Sequence, residues 1–518
     1  MKKKYLKKFF DSMLWTIPVF WGLIIAFIWK DFPELLRQKE TVWYALGAAV
    51  IAYLWITTEF RCRPSPDSML EQKHMAQQKK VYRKLRSSKP DGILFGKQGA
   101  SYIRKPIKED GHVLIIGGSG SGKSSCGVIP TILANLGTAV FAVDIKGELS
   151  YKATMRTNPK NMVFDPSDRS SCGYDPLYNL KPGCGSMEIY DTMRSIAEAL
   201  VPLPADIKDP FWKNSARNLL AGLLIYFYKT GTRNFINIVD KIFSKPIQDS
   251  VKEIMECSDV DSAERKYMVQ FAGLTEETFG GIVTELNNHL LLFANDQDIR
   301  FALRDNPNKA NPEMLNTGYS IYLAIQESKL TTYYDFFQLV LNQVFYEMEQ
   351  RPENAEPVLF ILDELPRILS AGKIERLLDG AKTLRSRKVT LYLIIQSVEA
   401  LMTAYKESQA TDLISNCMYI MILDANSIKT QKMIIEWAGK YLHRKKSWNS
   451  GSSKSSVSIS FEEKNLIDST DIMQLKDKKK IMLVSPYGFY IIDKNPYYID
   501  PLLSVRSEEC VACNSSLK

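Results

Sequence analysis

A chain of 518 residues, 45% hydrophobic and 24% charged, has room for two or three domains and the composition of globular protein. Its 67 basic and 58 acidic residues leave a net charge of +9, compatible with nucleic acid or anionic lipid but too small to demand either. The eight cysteines are scattered; only Cys510-Val-Ala-Cys513 has ligand-like spacing, and it lacks the second pair of a zinc site.

In chain order, 13–29 and 41–58 carry no charged residue and are rich in Leu, Ile, Val, Phe and Trp. They sit at the short end of what spans a bilayer, with Trp15, Trp29, Trp43 and Trp55 near their ends as interface aromatics. Lys2, Lys3, Lys4, Lys7 and Lys8 precede the first stretch, and Arg61, Arg63 and Lys73 follow the second. The expectation is a transmembrane hairpin over 1–60 in the inner (cytoplasmic) membrane, two spans, both termini cytoplasmic. A basic linker helix is expected over 61–90.

The apolar run His112–Ile116 predicts a buried strand, and Gly117-Gly118-Ser119-Gly120-Ser121-Gly122-Lys123-Ser124 fits G-x-x-x-x-G-K-[ST] at every defined position. A helical stretch follows. Strand, glycine loop and helix form a phosphate cradle: backbone N–H groups and the helix N-terminus face the anion. Lys123 is expected at the β- and γ-phosphates and the Ser124 hydroxyl on Mg²⁺, with Gly117 to Ser125 as the nucleotide contacts. Pro130 falls inside the expected helix, where it should cost a hydrogen bond and bend it.

A second strand is expected at Thr138–Val143, ending in Asp144-Ile-Lys-Gly-Glu148. Residues 181–308 carry few strand signals and several helical periodicities; Trp212, Ala216, Leu219, Leu220, Leu223 and Leu224 mark one apolar face, read as core packing. An all-α domain over 181–308 thus interrupts a nucleotide-binding domain made of 91–180 and 309–505. A strand over Ser320–Ile325 and a helix over Tyr333–Gln350 come next. The apolar run Val358–Leu362 ends in Asp363-Glu364: Asp363 is placed to hold Mg²⁺, and Glu364 to orient and deprotonate water. Leu391–Ile395 is a strand ending in Gln396-Ser397; Met418–Leu423 and Lys480–Val484 complete the set, with Phe489–Ile492 closing a terminal hairpin. The Ser-rich tract after His443-Arg-Lys-Lys446, to Ser460, reads as a mobile loop, and 506–518 as a disordered tail.

The order of these motifs resembles the coupling proteins of conjugative type IV secretion (TraG/TraD-like, among the FtsK/RecA-like hexameric ATPases). The resemblance rests on the phosphate loop followed by Val128-Ile-Pro-Thr-Ile-Leu133, on Val143–Glu148, on Phe164-Asp-Pro166 with Tyr174-Asp-Pro-Leu177, on Phe211-Trp212 with Ala216–Leu220, on Leu362–Leu365, on Ile395–Ser397 and on Asn495-Pro-Tyr-Tyr498. It covers about 1–505, and Pro130 belongs to it. It implies an α/β fold: a RecA-like P-loop nucleotide-binding domain with an inserted all-α domain, preceded by a two-helix transmembrane hairpin. It implies ATP and Mg²⁺ as cofactors, assembly as a homohexamer, and single-stranded DNA, relaxase or relaxosome, membrane and type IV secretion channel proteins as partners. The implied activity is ATP hydrolysis that delivers a relaxase-bound strand to the channel. Gln396 would contact the γ-phosphate, and an arginine from the neighbouring subunit would stabilise the transferring group, with Arg385 preferred over Arg387. The chain departs from the pattern in having short tails and no long acidic C-terminus, which leaves its recruiting surface unassigned. Two other readings stay open: a chromosome-segregation DNA translocase, and a nucleotide-gated docking platform that recruits relaxase or effector proteins without pumping DNA.

Overall fold

A computed structural model describes residues 78–203, 207–451 and 454–516. A helix over 78–85 leads into β1 (Arg86–Ser87), β2 (Ile93–Gln98) and β3 (Ser101–Lys105); then come β4 (Val113–Ile116), β5 (Ala139–Val143), β6 (Asn161–Phe164), β7 (Ser320–Leu323), β8 (Val358–Leu362), β9 (Val389–Ile395) and β10 (Tyr419–Ile422). β11 (Lys440–Gly451) and β12 (Lys454–Asn465) form a separate two-stranded sheet, and β13 (Lys480–Ser485) and β14 (Gly488–Asp493) return to the main one. The main sheet has twelve strands in the order β1-β3-β2-β14-β13-β10-β4-β9-β8-β5-β7-β6. From β10 to β6 every neighbour is parallel; from β10 through β13 to β1 every neighbour is antiparallel.

Strands β4, β5, β7, β8, β9 and β10 are buried at every residue, as parallel strands covered on both faces must be. Their side chains alternate between two cores. Leu114, Ile116, Phe141, Val143, Phe360 and Leu362 enter one; Val113, Ile115, Val140, Ala142, Leu359 and Ile361 enter the other. The second core is closed by α1 (Ile129–Ala134), α2 (Glu148–Lys152) and the last helix. The first is closed by helices of a block without strands among the described residues from Ser186 to Asn306, including α3 (Ser186–Leu200), α4 (Phe211–Lys229) and α5 (Glu276–Asn295), and by α6 (Tyr334–Glu349), α7 (Leu365–Ala371) and α8 (Glu375–Thr383). In α4, Ala216, Leu219, Leu220, Leu223 and Leu224 are buried, but Trp212 is not: it stays 39% exposed beside Gly281, edge-on to Phe211.

The structure explains Pro130 and corrects several expectations. Ser124–Val128 form a wide π turn, and regular α-helix starts only at Ile129. Pro130 therefore lies in a first turn, where a missing N–H costs little. The tract expected as a mobile loop lies largely in β11 and β12; Val457, Ile459 and Phe461 alternate with serines, a period-2 pattern that outweighs the low complexity.

Residues 506–515, within the tail expected to be disordered, are helical. They belong to α9 (Pro501–Ser515), which is capped by the Asp500 carboxylate accepting from the N–H groups of Leu502 and Leu503. Asn514 docks this helix by donating to the carbonyls of Tyr151 and Thr154 at 2.8 and 2.7 Å. Cys510 is buried there while Cys513 meets Thr157, and among the described residues no cluster of three or more His, Cys, Asp or Glu side chains is placed to hold a metal ion.

The two-span inner-membrane localisation is also corrected. No helix among the described residues is long and apolar enough to cross a membrane, and the stretches 13–29 and 41–58 on which that expectation stood lie outside those residues.

Candidate functional site

Parallel pairing sets the C-terminal ends of β4, β9, β8 and β5 side by side, the edge at which open α/β sheets present their ligand crevice. The glycine loop leaves β4 here. Gly117 N–H donates to the Ile395 carbonyl at 3.1 Å, which ties the loop to β9. Gly120 (φ +70°) and Gly122 (φ +95°) adopt left-handed backbone that a side chain would strain. Lys123 folds back over the loop, its Nζ donating to the carbonyls of Gly117 at 2.8 Å and Gly118 at 3.1 Å. Burial holds its ammonium below the ordinary range, partly offset by the charges of Glu364 and Asp363. The buried Ser121 hydroxyl has no protein partner, so the cradle keeps an unsatisfied polar atom.

β8 delivers the acids. Asp363 is only 3% exposed, and burial, reinforced by the charge of Glu364, pushes its carboxyl up to about 7. Its Oδ1 accepts from Glu364 N–H at 3.0 Å. Glu364 has φ +52°, a left-handed conformation rare for residues with a Cβ. Its carboxylate is held from two sides: Lys146 Nζ donates to Oε1 at 2.6 Å and Gln396 Nε2 to Oε2 at 3.2 Å. Burial pushes Glu364 up, but these two donors and the Lys123 charge outweigh it and hold the carboxylate below its usual range. Asp144, at the end of β5, lies beside Asp363 by strand register; Oδ2 accepts from Ser150 N–H, and Oδ1 is buried without a partner.

The structure thus brings together the Gly117–Ser125 loop, Asp363, Glu364 and Gln396. It does not bring Arg385 or Arg387 to them. Both lie between α8 and the start of β9, and that seven-residue strand separates them from Gln396 by roughly 20 Å. Arg385 is exposed, while Arg387 donates to the Arg351 carbonyl at 3.0 Å. Lys146, Glu148, Lys152, Tyr497 and Tyr498, to which no motif assigns a role, also line the cavity of about 280 Å³ over the loop. The Asp144–Glu148 segment was visible as a motif, but its chemistry depends on β5 lying against β8.

Residues 65–518 match the family model described as Type IV secretory system Conjugative DNA transfer. The chain belongs to that family. Two curated relatives are Protein VirD4 of Rhizobium rhizogenes, 24% identical over 417 residues, and the type IV secretion system-coupling protein VirD4 of Bartonella henselae, 21% identical over 396 residues. The matches cover 78% and 72% of this chain but only 60% of each relative. The conjugative coupling protein TrwBΔN70 in its unbound form superposes with a TM-score of 0.62 at 16% identity, over 82% of this chain and 93% of that one. TrwB with the non-hydrolysable ATP analogue ADPNP gives 0.61 at 16% identity, over 81% and 92%; TrwB with ADP and Mg²⁺ gives 0.58 at 16%, over 81% and 91%. The chain therefore has the mixed α/β, RecA-like fold of TrwB.

Proposed function

We propose that this chain is an ATPase which couples a relaxase-bound single-stranded DNA to a type IV secretion channel and drives its translocation, working as a homohexamer. Family membership supports the conjugative setting. The single observation that carries the chemistry is the convergence of the phosphate loop with a carboxylate, Glu364, held by Lys146 and Gln396. In this reading the nucleotide-binding part comprises 91–180 and 309–505, with the helices of 181–308 as a separate working domain.

The loop N–H groups and Lys123 would bind the triphosphate, with Lys123 exchanging loop carbonyls for phosphate oxygens. Ser124 and Asp363 offer the hard oxygen donors that Mg²⁺ takes, and the ion would neutralise charge on the β- and γ-phosphates. Each Glu364 oxygen retains an acceptor site beyond its present bond, enough to align a water for in-line attack. Gln396 would hold Glu364 and face the γ-phosphate.

The test is Mg²⁺-dependent hydrolysis of ATP by the full 518-residue chain, with and without single-stranded DNA. We expect stimulation by DNA. Lys123→Ala should lose binding and turnover together; Glu364→Gln should keep binding and lose roughly 10²- to 10⁴-fold in rate. Hydrolysis indifferent to DNA in assembled rings would reject the DNA motor, and turnover unchanged in Glu364→Gln would reject the assigned water-orienting role.

A further inference from the structure

The cavity above the phosphate loop has one wall that phosphate chemistry does not use. Two consecutive aromatics, Tyr497 and Tyr498, line it alongside Ser124 and Ser125. Tyr497 N–H donates to the Ser125 carbonyl at 2.9 Å, and Lys494 Nζ donates to the Ser121 carbonyl at 3.1 Å. The segment after β14 is therefore fastened to the loop itself and to the first turn of the helix that follows. It is fastened at its far end too. Asp500, only 1% exposed, accepts from Tyr102 Oη at 2.7 Å and Asn495 Nδ2 at 3.0 Å, pairs with Lys97 at 2.6 Å and caps α9. Between these anchors Tyr498 stands 61% exposed, with the Tyr497 ring edge-on to it at 5.4 Å and 81°. A large ring kept in water on a fixed backbone, at the rim of a ligand cavity, is preorganised to be covered by the ligand.

We infer that Tyr498 is the stacking platform for the nucleobase. The inference rests on the nucleotide reading proposed above: with the β- and γ-phosphates at Lys123, the ligand runs outward past Ser125 to the tyrosines. Two other charged residues of the lining, Glu148 and Lys152, are paired with each other at 3.2 Å. The Tyr498 ring reads the flat face of the base and leaves its edge unread, so adenine and guanine gain equally from it. Tyr497 holds the ring's orientation and is a positioning residue.

The test measures binding of ATP, GTP and inorganic tripolyphosphate, the last having phosphates but no base, to the full chain and its variants. Tyr498→Ala should weaken ATP and GTP by a similar factor, roughly 5- to 100-fold, and leave tripolyphosphate within about twofold. Tyr498→Phe should bind all three like the parent, since the ring is retained. Equal loss for tripolyphosphate would make Tyr498 a prop for the loop and overturn the inference, as would unchanged ATP binding in Tyr498→Ala. Lys123→Ala separates the two readings: it should abolish binding of all three ligands. If the parent chain binds none of them, the nucleotide reading fails and the platform with it; if the parent binds all three and Tyr498→Ala loses none, the platform alone fails.

Discussion

Lys146 illustrates what single residues contribute beyond the phosphate-loop motif. Its 2.6 Å pairing with Glu364 joins residues 218 apart in sequence, and both side chains keep some solvent access. Burial lowers the Lys146 ammonium, but the bond to Glu364 outweighs this and raises it overall. Removing the cation leaves burial less opposed at Glu364, so the carboxylate pKa must rise. For a group that works ionised, the acid limb of the rate profile then moves to higher pH. Lys146→Met should therefore shift the acidic limb of kcat/KM for ATP hydrolysis upward, and Lys146→Arg should return it most of the way. A rate that drops without movement of the limb would show that Lys146 only supports the fold. The loop, Asp363 and Glu364 were legible because each motif is contiguous. Lys146, Tyr497 and Tyr498 were not, because their roles come from strand order and from a segment some 370 residues after the loop closing back on it.

At the scale of elements, the buried strands were readable almost to the residue, because a parallel strand covered on both faces has nothing but apolar positions. The last helix was not readable. Its buried face is Leu503, Ser507, Cys510 and Asn514, helical spacing with half its members polar, so the hydrophobic period vanishes while Asn514 replaces apolar packing with hydrogen bonds. A polar residue also joins the strand starts. His112 accepts the Leu391 N–H at Nδ1 (3.0 Å) and donates from Nε2 to the Ala381 carbonyl (3.1 Å), linking the start of β4 to β9 and α8. Burial pushes its pKa down to about 4. A base with a depressed folded pKa binds fewer protons folded than unfolded, so its stabilisation is complete above the unfolded value of 6.5 and is lost as pH falls toward 4. The full loss is about 3 kcal/mol. Asp363, raised to about 7, acts in the opposite sense through much of that window, so the measurement has to be differential. Denaturant unfolding of the parent and His112→Gln between pH 7.5 and 4.5 should show a steeper acid loss in the parent. Parallel pH dependences would remove His112 as the cause.

The largest scale is set by what one subunit lacks. Every group assigned to phosphate binding and water alignment comes from the strand ends at one edge of the sheet, whereas Arg385 projects near the opposite edge, roughly 20 Å away along β9. If it serves catalysis, it serves the next subunit. In the proposed ring, head-to-tail contact would build each site from two chains. The consequence is complementation. Glu364→Gln subunits carry a good arginine and a dead site; Arg385→Ala subunits carry a good site and no arginine to give. Alone, each variant should be nearly inactive, the arginine loss amounting to roughly 10³- to 10⁵-fold. Mixed at equal concentration and allowed to exchange, half of all sites belong to Arg385→Ala subunits and half of those face a Glu364→Gln neighbour, so roughly a quarter of sites are complete. Steady-state hydrolysis of the mixture should rise well above the sum of the two separate variants, and replacing Arg385→Ala by Arg387→Ala should give no such gain. If the mixture only averages its parts, Arg385 acts within its own chain or not at all, and the transition-state charge must be met by cations already beside the loop, Lys123 and Lys146 among them.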